Sequence, residues 1–267
     1  MSCTFCNSDH FEKNFLSWVK VSYSICKECG CHYQDPIVNF DYSSDNFWTA
    51  DTDPEGNFRN LSKERENRIK NWYGDAINFT NKFKDIDVLD FGCGLGFYLS
   101  ALNKDIRKYG VEESHFANNF IKKNFPDINI TRGGLEKLRE IDKKFDIIML
   151  YHVIEHVKNP LNLFNILKKK LKKNGILILG TPLINTVISN YFGPNFRHYN
   201  PGHITLFNIN TLRKLFFKNS FKIIKIDKPF FKTNYFTLRN VMRLFNTKKI
   251  SPPFRGSIIT IYGQNNQ

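Results

Sequence analysis

The sequence predicts an α/β fold built around a mostly parallel sheet. From Asp87 to Ile226, short apolar segments typical of strands alternate along the chain with segments of helical periodicity. This pattern is typical of parallel strands joined by right-handed crossovers, with helices on both faces of the sheet. The first apolar segment also runs directly into Gly92, Gly94 and Gly96. A glycine-rich turn after a strand predicts a ligand site at the carboxyl end of the sheet.

The individual elements follow from this alternation in chain order. The predicted strands are Asp87–Phe91, Lys108–Glu112, Ile128–Thr131, Phe145–Tyr151, Gly175–Gly180, Phe221–Ile226 and Ser257–Tyr262. The predicted helices are Gly96–Asn103, Ser114–Asn124, Leu135–Ile141, Pro160–Leu171 and Thr211–Lys218, preceded by one from Ser62 to Phe83 with Ser62 as its N-cap. Two long connections, residues 181–210 and 228–256, interrupt the alternation, and we expect them to shape the substrate site.

The length of the chain predicts one catalytic domain with a small addition, since 267 residues exceed the usual size of a single domain. We expect a cysteine-bearing segment at 1–36, a linker and helix at 37–84, and the main domain at 85–267. Hydrophobic residues make up 41% of the chain, which is enough for a sizeable core. Neither a leader-like segment nor an apolar run near the ~20 residues of a membrane span stands out, so a soluble cytoplasmic protein is predicted.

Basic residues are concentrated in the C-terminal part of the chain. The formal net charge is +14, and residues 205–267 contain twelve Lys and Arg against one acid, Asp227. Such a surface concentrates anions, which could be a nucleotide diphosphate, a nucleic acid or an acidic lipid. The alternative is a lysine-rich surface that only keeps helix faces solvated. The composition leaves both interpretations open.

Two C-x-x-C pairs, nineteen residues apart, predict a structural zinc site with the ligands Cys3, Cys6, Cys26 and Cys29. Between the pairs, Trp18–Ile25 alternates like a strand of a ribbon hairpin. Cys31 could replace Cys29, but a glycine after Cys29 suits the tight turn of a zinc knuckle better. His10 and His32 are not needed, because four thiolates complete a closed tetrahedral site.

The glycine-rich turn is paired with an acidic residue that follows the second predicted strand. Glu112 lies twenty residues after Gly92, where a carboxylate can accept two hydrogen bonds from a ribose diol. A nicotinamide dinucleotide fingerprint would need glycine at position 97, but Phe97 stands there. The sequence therefore predicts a ribose-bearing cofactor other than a nicotinamide dinucleotide.

The segment from Val88 to Gly96 resembles the first motif of class I S-adenosylmethionine-dependent methyltransferases, and Phe145 to Pro160 resembles their fourth. The resemblance implies a Rossmann-like sheet of seven strands, mostly parallel with the last one antiparallel. It also implies that S-adenosylmethionine is held by Asp90, Gly92, Gly94, Gly96, Glu112 and His152. Glu136 or a backbone amide would meet the adenine, since the acidic residue common after the third strand is replaced by Gly133-Gly134-Leu135-Glu136.

The fourth motif contains two histidines in the order H-x-x-E-H, from His152 to His156. This order matches the inverted zinc-protease pattern, whose chemistry needs both histidines on one face of a helix. Here the motif follows a strand directly and Pro160 leaves room for two turns at most. We therefore reject a metallohydrolase.

A subgroup with N-terminal zinc ribbons, the bacterial sugar and natural-product methyltransferases, carries a similar Glu-His pair and a later Pro-x-His. This chain has Glu155-His156 and Pro201-Gly202-His203. The resemblance implies a nucleotide-linked sugar, or a related phosphorylated intermediate of capsule or other surface polysaccharide biosynthesis, as the anionic substrate. The extra C-terminal domain of the sugar C-methylating members is missing, so we expect oxygen to accept the methyl group.

Three residues are predicted to carry catalysis, His156, His203 and Glu155. His156 is the expected general base, His203 is the second choice for that role, and Glu155 would bind a neighbouring hydroxyl. One alternative is an RNA methyltransferase, although the chain lacks an Asn-Pro-Pro-Tyr-like element for a flipped base amine. Another is a scaffold that binds the cofactor without turnover.

Overall fold

The computed structural model describes residues 3–40, 44–49, 51–52, 58–228, 238–253 and 256–266. Parts of the predicted linker and of the 228–256 connection therefore lie outside the described residues. Among the helices that are described, none has the length and the apolar character needed to cross a bilayer.

The N-terminal segment forms a small antiparallel sheet. Its strands are β1 (Phe11–Leu16), β2 (Ser22–Cys26) and β3 (His32–Gln34). The strand predicted from Trp18 begins only at Ser22, because residues 17–21 form a tight turn in which the Ser17 amide donates to the Val21 carbonyl at 2.8 Å. We call β1, β2 and β3 the hairpin sheet.

The described residues between 44 and 80 form several short elements and then one continuous helical run. They are α1 (Asp45–Thr49), the paired strands β4 (Asp51–Thr52) and β5 (Phe58–Arg59), a 3₁₀ turn at Leu61–Lys63, α2 (Arg65–Arg68), a π turn at Ile69–Tyr73 and α3 (Gly74–Thr80). The predicted helix is present from Arg65 to Thr80, where α2, the π turn and α3 are continuous, but Ser62 does not cap it. Asn60 caps the first turn instead, since its side chain accepts a hydrogen bond from the Ser62 amide. The wider π turn lets two consecutive aromatic residues, Trp72 and Tyr73, both line the central crevice.

Within the part of the chain that the structure describes, the central sheet has seven strands. They are β6 (Asp87–Phe91), β7 (Arg107–Glu112), β8 (Ile128–Arg132), β9 (Phe145–Tyr151), β10 (Leu171–Pro182), β12 (Phe221–Asp227) and β13 (Ile258–Asn265). The strand order is β12-β13-β10-β9-β6-β7-β8. The last strand in the chain, β13, runs antiparallel to both neighbours, and the other pairs are parallel. The predicted topology is confirmed.

The strand β11 (Thr205–Leu206) belongs to the connection after β10, yet it pairs with β3 of the hairpin sheet. The small sheet therefore has the order β1-β2-β3-β11. The remaining helices are α4 (Phe97–Ser100), α5 (His115–Asn124), α6 (Leu135–Glu140), α7 (Pro160–Lys170), α8 (Val187–Phe192), α9 (Ile209–Lys218) and α10 (Leu238–Leu244). Ser114, Asn159 and Asn208 cap α5, α7 and α9 with their side chains.

The core lies on both faces of the central sheet, and β9 is buried along nearly its whole length. On one face, Phe164, Phe216 and Phe221 make edge-to-face contacts with one another. Because β6, β7, β9 and β10 are parallel, their carboxyl ends meet at one edge of the sheet. The turns that follow these four strands therefore converge at this edge.

Candidate active site at the carboxyl edge of the sheet

The glycine-rich loop connects β6 to α4 and has a backbone that favours glycine. Gly92, Gly94 and Gly96 all have left-handed φ angles of 73°, 52° and 71°. A Cβ atom on Gly92 would lie 2.5 Å from a methyl group of Val153, so a side chain there would force the two turns apart. The Gly94 amide donates to Glu112 Oε2 at 2.9 Å. The loop is thus tied to the end of the neighbouring strand.

Two acidic side chains, Asp90 and Glu112, lie at this loop. Glu112 also accepts a hydrogen bond from the Ser114 amide at 2.9 Å. Burial raises the pKa of Glu112, and the two amide hydrogen bonds oppose that rise. Burial, together with the charge of Glu112, raises the pKa of Asp90 to about 8. A positively charged ligand at this place would relieve the repulsion between the two carboxylates.

A crevice of about 1750 Å³ opens in front of the loop. The predicted residues that line it are Gly92, Gly94, Glu112, His152, His156 and His203. Asp90, Gly96 and Glu155 are not among the residues that line it. The fold thus brings together residues that are more than a hundred positions apart in the chain, as the converging strand ends require.

His152 is held against Glu155 at the carboxyl end of β9. His152 has a left-handed φ of 54°, and its amide donates to the Gly180 carbonyl of β10 at 2.8 Å. Its Nδ1 lies 2.9 Å from Glu155 Oε1, while the hydroxyl of Thr181 donates to Oε2 at 3.0 Å. Glu155 is completely buried. Burial alone would raise its pKa, but the hydrogen bond from His152 and the neighbouring imidazoles lower the pKa to about 2.

His156 and His203 face each other with ring centroids 4.9 Å apart. His156 Nδ1 lies 2.7 Å from the Gly202 carbonyl, and His203 Nδ1 lies 2.7 Å from the His198 carbonyl. A carbonyl oxygen only accepts, so each Nδ1 carries the proton and each neutral ring has its lone pair at Nε2. Burial lowers the pKa of His156, and it lowers the pKa of His203 to about 3. Both rings are therefore neutral at pH 7.

Other residues of the crevice were not singled out from the sequence. Trp48 of α1 covers the glycine loop and donates from its indole to the Ser114 hydroxyl at 2.9 Å. The guanidinium of Arg68 lies 4.4 Å from the ring centroid of Trp72, which also packs on His152. Trp48 falls in the predicted linker, while Arg68 and Trp72 fall in the predicted helix from Ser62, and no motif marks any of the three as part of a site.

The four predicted zinc ligands lie together at one end of the hairpin sheet. The sulfur atoms of Cys3, Cys6, Cys26 and Cys29 are all within 4.8 Å of one another. The Cys3–Cys29 and Cys6–Cys26 sulfur distances are 3.6 and 3.5 Å. A tetrahedral zinc ion with Zn–S bonds near 2.3 Å places its sulfur ligands roughly 3.8 Å apart. The donor set therefore fits one zinc ion, while Cys31 is buried but does not belong to this group.

The sheet topology and the glycine-rich site define a protein of the Rossmann-like methyltransferase class. A family profile described as a methyltransferase domain matches residues 61–226, which is more than half of the chain. The chain belongs to this methyltransferase family. The hairpin sheet up to β3, the linker and β13 lie outside the matched range.

The chain is also similar to two curated relatives and to one solved structure. It is 27% identical over 150 residues to a ubiquinone biosynthesis O-methyltransferase of Rickettsia felis, covering 54% of this chain and 59% of the relative. It is 35% identical over 117 residues to a tRNA U34 carboxymethyltransferase of Nautilia profundicola, covering 40% and 37%. A SAM-dependent methyltransferase from Archaeoglobus fulgidus shares the fold with a TM-score of 0.54 and 20% identity, covering 75% of this chain and 94% of that structure. The aligned parts span less than two thirds of the curated relatives.

Proposed function

We propose that this protein transfers a methyl group from S-adenosylmethionine to a hydroxyl of an anionic small molecule. The observation that carries the proposal is the position of two neutral, oriented imidazoles in the same crevice as the glycine loop. The cofactor and the acceptor can then meet in one site. A relative named as an O-methyltransferase supports oxygen as the acceptor atom.

S-adenosylmethionine would occupy the side of the crevice formed by the glycine loop. Its sulfonium is a cation, and the paired carboxylates of Asp90 and Glu112 favour positive charge there. Glu112 would exchange its hydrogen bond from the Gly94 amide for the ribose hydroxyls, and His152 would contact the cofactor from β9. Trp48 and Trp72 would exclude water from this side of the crevice.

When bound, S-adenosylmethionine would supply the methyl group: a carbon–oxygen bond to the acceptor would form as the carbon–sulfur bond breaks, and the sulfur would keep the electron pair of the broken bond. The hydroxyl proton passes to Nε2 of His156, with His203 orienting the acceptor or exchanging roles. The negative charge of buried Glu155 stabilises the imidazolium that forms. A base of this kind contributes about 10²–10⁴ in rate.

Glu155 is better suited to orienting the histidines than to binding substrate. Both of its carboxylate oxygens accept hydrogen bonds from the chain itself, from His152 and Thr181, and the side chain is completely buried. We therefore propose that Glu155 fixes the ring of His152 and holds a negative charge beside His156. This role replaces the hydroxyl contact expected from the sequence.

Positively charged side chains along the crevice favour an anionic acceptor. Lys158 and Arg197 line the crevice itself. Trp18 separates it from a second pocket of about 660 Å³, whose basic residues are Lys20, Arg243, Lys248 and Lys249. A phosphorylated compound fits this distribution of charge, and a nucleotide-linked sugar of capsule or other surface polysaccharide synthesis is the substrate we propose.

We also propose that the cysteine cluster holds one structural zinc ion. Zinc would supply no chemistry in the reaction, because four thiolates leave no open position. Elemental analysis of the purified chain should find one zinc per chain, and Cys26→Ser should release it and unfold the hairpin sheet. Ser24→Ala on the same strand is the matched control. A chain free of zinc that keeps the fold of the hairpin sheet would contradict this assignment.

The substrate class can be decided with methyl-labelled cofactor. The chain is incubated separately with a panel of nucleotide sugars and with total RNA, and the label in each product is counted. We expect label in a nucleotide sugar and none in RNA. Label in RNA alone would favour the RNA alternative, which the relative named as a tRNA carboxymethyltransferase keeps open. Label in neither would favour a scaffold without turnover.

A further inference from the structure

We propose that the hairpin sheet is a positioning device for the two imidazoles at the active site, acting through Tyr23 and Gln34. The inference rests on the proposed function, in which His156 and His203 are the residues that handle the acceptor proton. Neither Tyr23 nor Gln34 lines the crevice, so both act through the backbone of residues 198–203.

The hairpin sheet is continuous with the segment that carries His203. Tyr33 of β3 pairs with Thr205, and His32 pairs with Leu206. The backbone amide of Gln34 extends this ladder by donating to the Ile204 carbonyl at 2.9 Å. His203 therefore lies at the end of a strand that exists only because β3 pairs with it. A two-residue strand such as β11 has little stability of its own.

Two buried side chains of the hairpin sheet hold the backbone before β11. The Tyr23 hydroxyl lies 2.9 Å from the carbonyl oxygens of both Asn200 and His203. The side-chain nitrogen of Gln34, Nε2, donates to the Pro201 carbonyl at 2.9 Å. Tyr23 is completely buried and Gln34 is 1% exposed, so water cannot replace these contacts.

The same backbone supplies the acceptors that orient the imidazoles. His156 Nδ1 donates to the Gly202 carbonyl, and His203 Nδ1 donates to the His198 carbonyl. The carbonyls held by Tyr23 and Gln34 lie between and beside these two acceptors in the chain. The Ile204 amide also donates to the carbonyl of Glu155, at 2.8 Å, which joins this segment to the turn that bears His156. Releasing the segment would move both acceptors at once.

The consequence is control of the tautomer of both rings. As long as each Nδ1–H has its carbonyl acceptor, the lone pair stays at Nε2, where the proposed base His156 needs it and where the side-chain amide of Asn200 lies 3.2 Å from the ring of His203. If the segment shifts, the alternative tautomer, with the proton on Nε2, becomes populated and cannot accept the proton from the acceptor hydroxyl at that atom. Tyr23 and Gln34 are therefore positioning residues, and their loss should affect turnover more than cofactor affinity.

The test compares Tyr23→Phe and Gln34→Leu with Ser24→Ala in the full chain. Phenylalanine keeps the buried ring of Tyr23 and removes only the hydroxyl. Ser24 is the neighbour of Tyr23 on β2, is also buried, and bonds to Asn14 of β1 rather than to the 198–203 segment. Imidazole nitrogen NMR shifts report the tautomers of His156 and His203 directly, and do not depend on turnover.

We expect Tyr23→Phe and Gln34→Leu to mix the tautomers of both rings and to lower kcat about tenfold, the factor of one ordinary hydrogen bond. The affinity for S-adenosylmethionine should stay within twofold of the wild type in all three variants, and Ser24→Ala should change neither the tautomers nor kcat. Unchanged tautomers in Tyr23→Phe and Gln34→Leu would overturn the inference. Mixed tautomers in these variants, combined with a normal kcat in His156→Ala and His203→Ala, would uphold the positioning role and overturn the proposed base.

Discussion

The two edges of the central sheet place an aspartate in opposite electrostatic environments. Asp87 and Asp90 lie three positions apart on β6, and both are nearly buried. At the amino edge, Asp87 pairs with Arg107, Lys143 and Lys172 at 2.8, 3.0 and 3.2 Å. The hydrogen bond from Arg107 holds the pKa of Asp87 well below its usual range. At the carboxyl edge, burial and the charge of Glu112 raise the pKa of Asp90 to about 8.

This difference separates a structural edge from a functional one. The carboxylate of Asp87 is neutralised within the chain, so it stabilises the fold and has no need of a ligand. The carboxylate of Asp90 is an energetic cost to the chain without a ligand, and a bound cation would lower its pKa. The proton acceptors of the proposed reaction also lie at the carboxyl edge. Variants at the two edges should therefore separate stability from function.

The largest effect is expected at the imidazoles of the functional edge. His156→Ala should lower kcat by about 10²-fold or more, because the acceptor hydroxyl loses its base, while the affinity for cofactor stays the same. His115→Ala, an exposed histidine on α5, is the matched control and should leave kcat unchanged. Steady-state kinetics and calorimetry give the two quantities. A normal kcat in His156→Ala across pH 6–9, with a large loss in His203→Ala, would exchange the two roles.

The next largest effect is expected at the carboxylate that closes the glycine loop. Glu112→Ala should weaken the binding of S-adenosylmethionine by about 1.5–3 kcal/mol, the range for a hydrogen bond to a charged acceptor. Gly94→Val should weaken it further, because a branched side chain would strain a left-handed backbone and press on Trp48. Asp87→Asn at the amino edge should leave the affinity unchanged. Unaltered affinity in both Glu112→Ala and Gly94→Val would remove the cofactor assignment.

The sequence predicted the functional edge better than the structural one, for a physical reason. Strands β6 and β9 are nearly continuous apolar runs, so their carboxyl ends could be placed from local pattern. The spacing from Gly92 then pointed to Glu112, and the resemblance to methyltransferase motifs pointed to His152. The ion cluster around Asp87 joins residues up to 85 positions apart, and nothing local indicates which partners meet. The pairing of β11 with the hairpin sheet was missed because a two-residue strand carries no periodicity. The π turn at residues 69–73 was missed because a single wider turn inside a continuous helix has no signal of its own in the hydrophobic pattern.

The stability of the two edges should depend on pH in opposite directions. Folding lowers the pKa of Asp87 from its value of 3.8 in the unfolded chain, so its carboxylate stabilises the fold at any pH above 3.8. This contribution is lost as the pH falls through the pKa of the folded state. A raised pKa means that Asp90 reduces stability as the pH rises from about 4 to about 8. Asp87→Asn should therefore lower the free energy of unfolding by about 1–2 kcal/mol at pH 7. Asp90→Asn should raise it at pH 9.

Denaturant unfolding at pH 5, 7 and 9 measures both effects in the chain without cofactor. Asp105→Asn, the same change at an exposed aspartate outside the sheet, gives the baseline. If Asp87→Asn and Asp90→Asn shift stability in the same direction at pH 9, the contrast between the edges is wrong.

The smallest effect is expected at the basic residues beyond the functional edge. If Lys248 and Lys249 attract an anionic substrate, the KM for substrate should rise with salt, while the affinity for cofactor stays nearly flat. The double variant Lys248→Ala, Lys249→Ala should flatten the salt dependence of KM. The same change at Lys168 and Lys169 on α7 is the control. A KM that does not respond to salt in the wild type would favour a surface that is only solvated.

The most direct test of the contrast is calorimetry of S-adenosylmethionine binding near pH 7.5, in buffers with different enthalpies of ionisation. The sulfonium should lower the pKa of Asp90 from about 8, so binding should release protons. S-adenosylhomocysteine, which lacks the sulfonium charge, should release fewer. Asp90→Asn should abolish the difference between the two ligands, and Asp87→Asn should preserve it. Equal proton release for both ligands in the wild type, or a difference that survives in Asp90→Asn, would contradict the account.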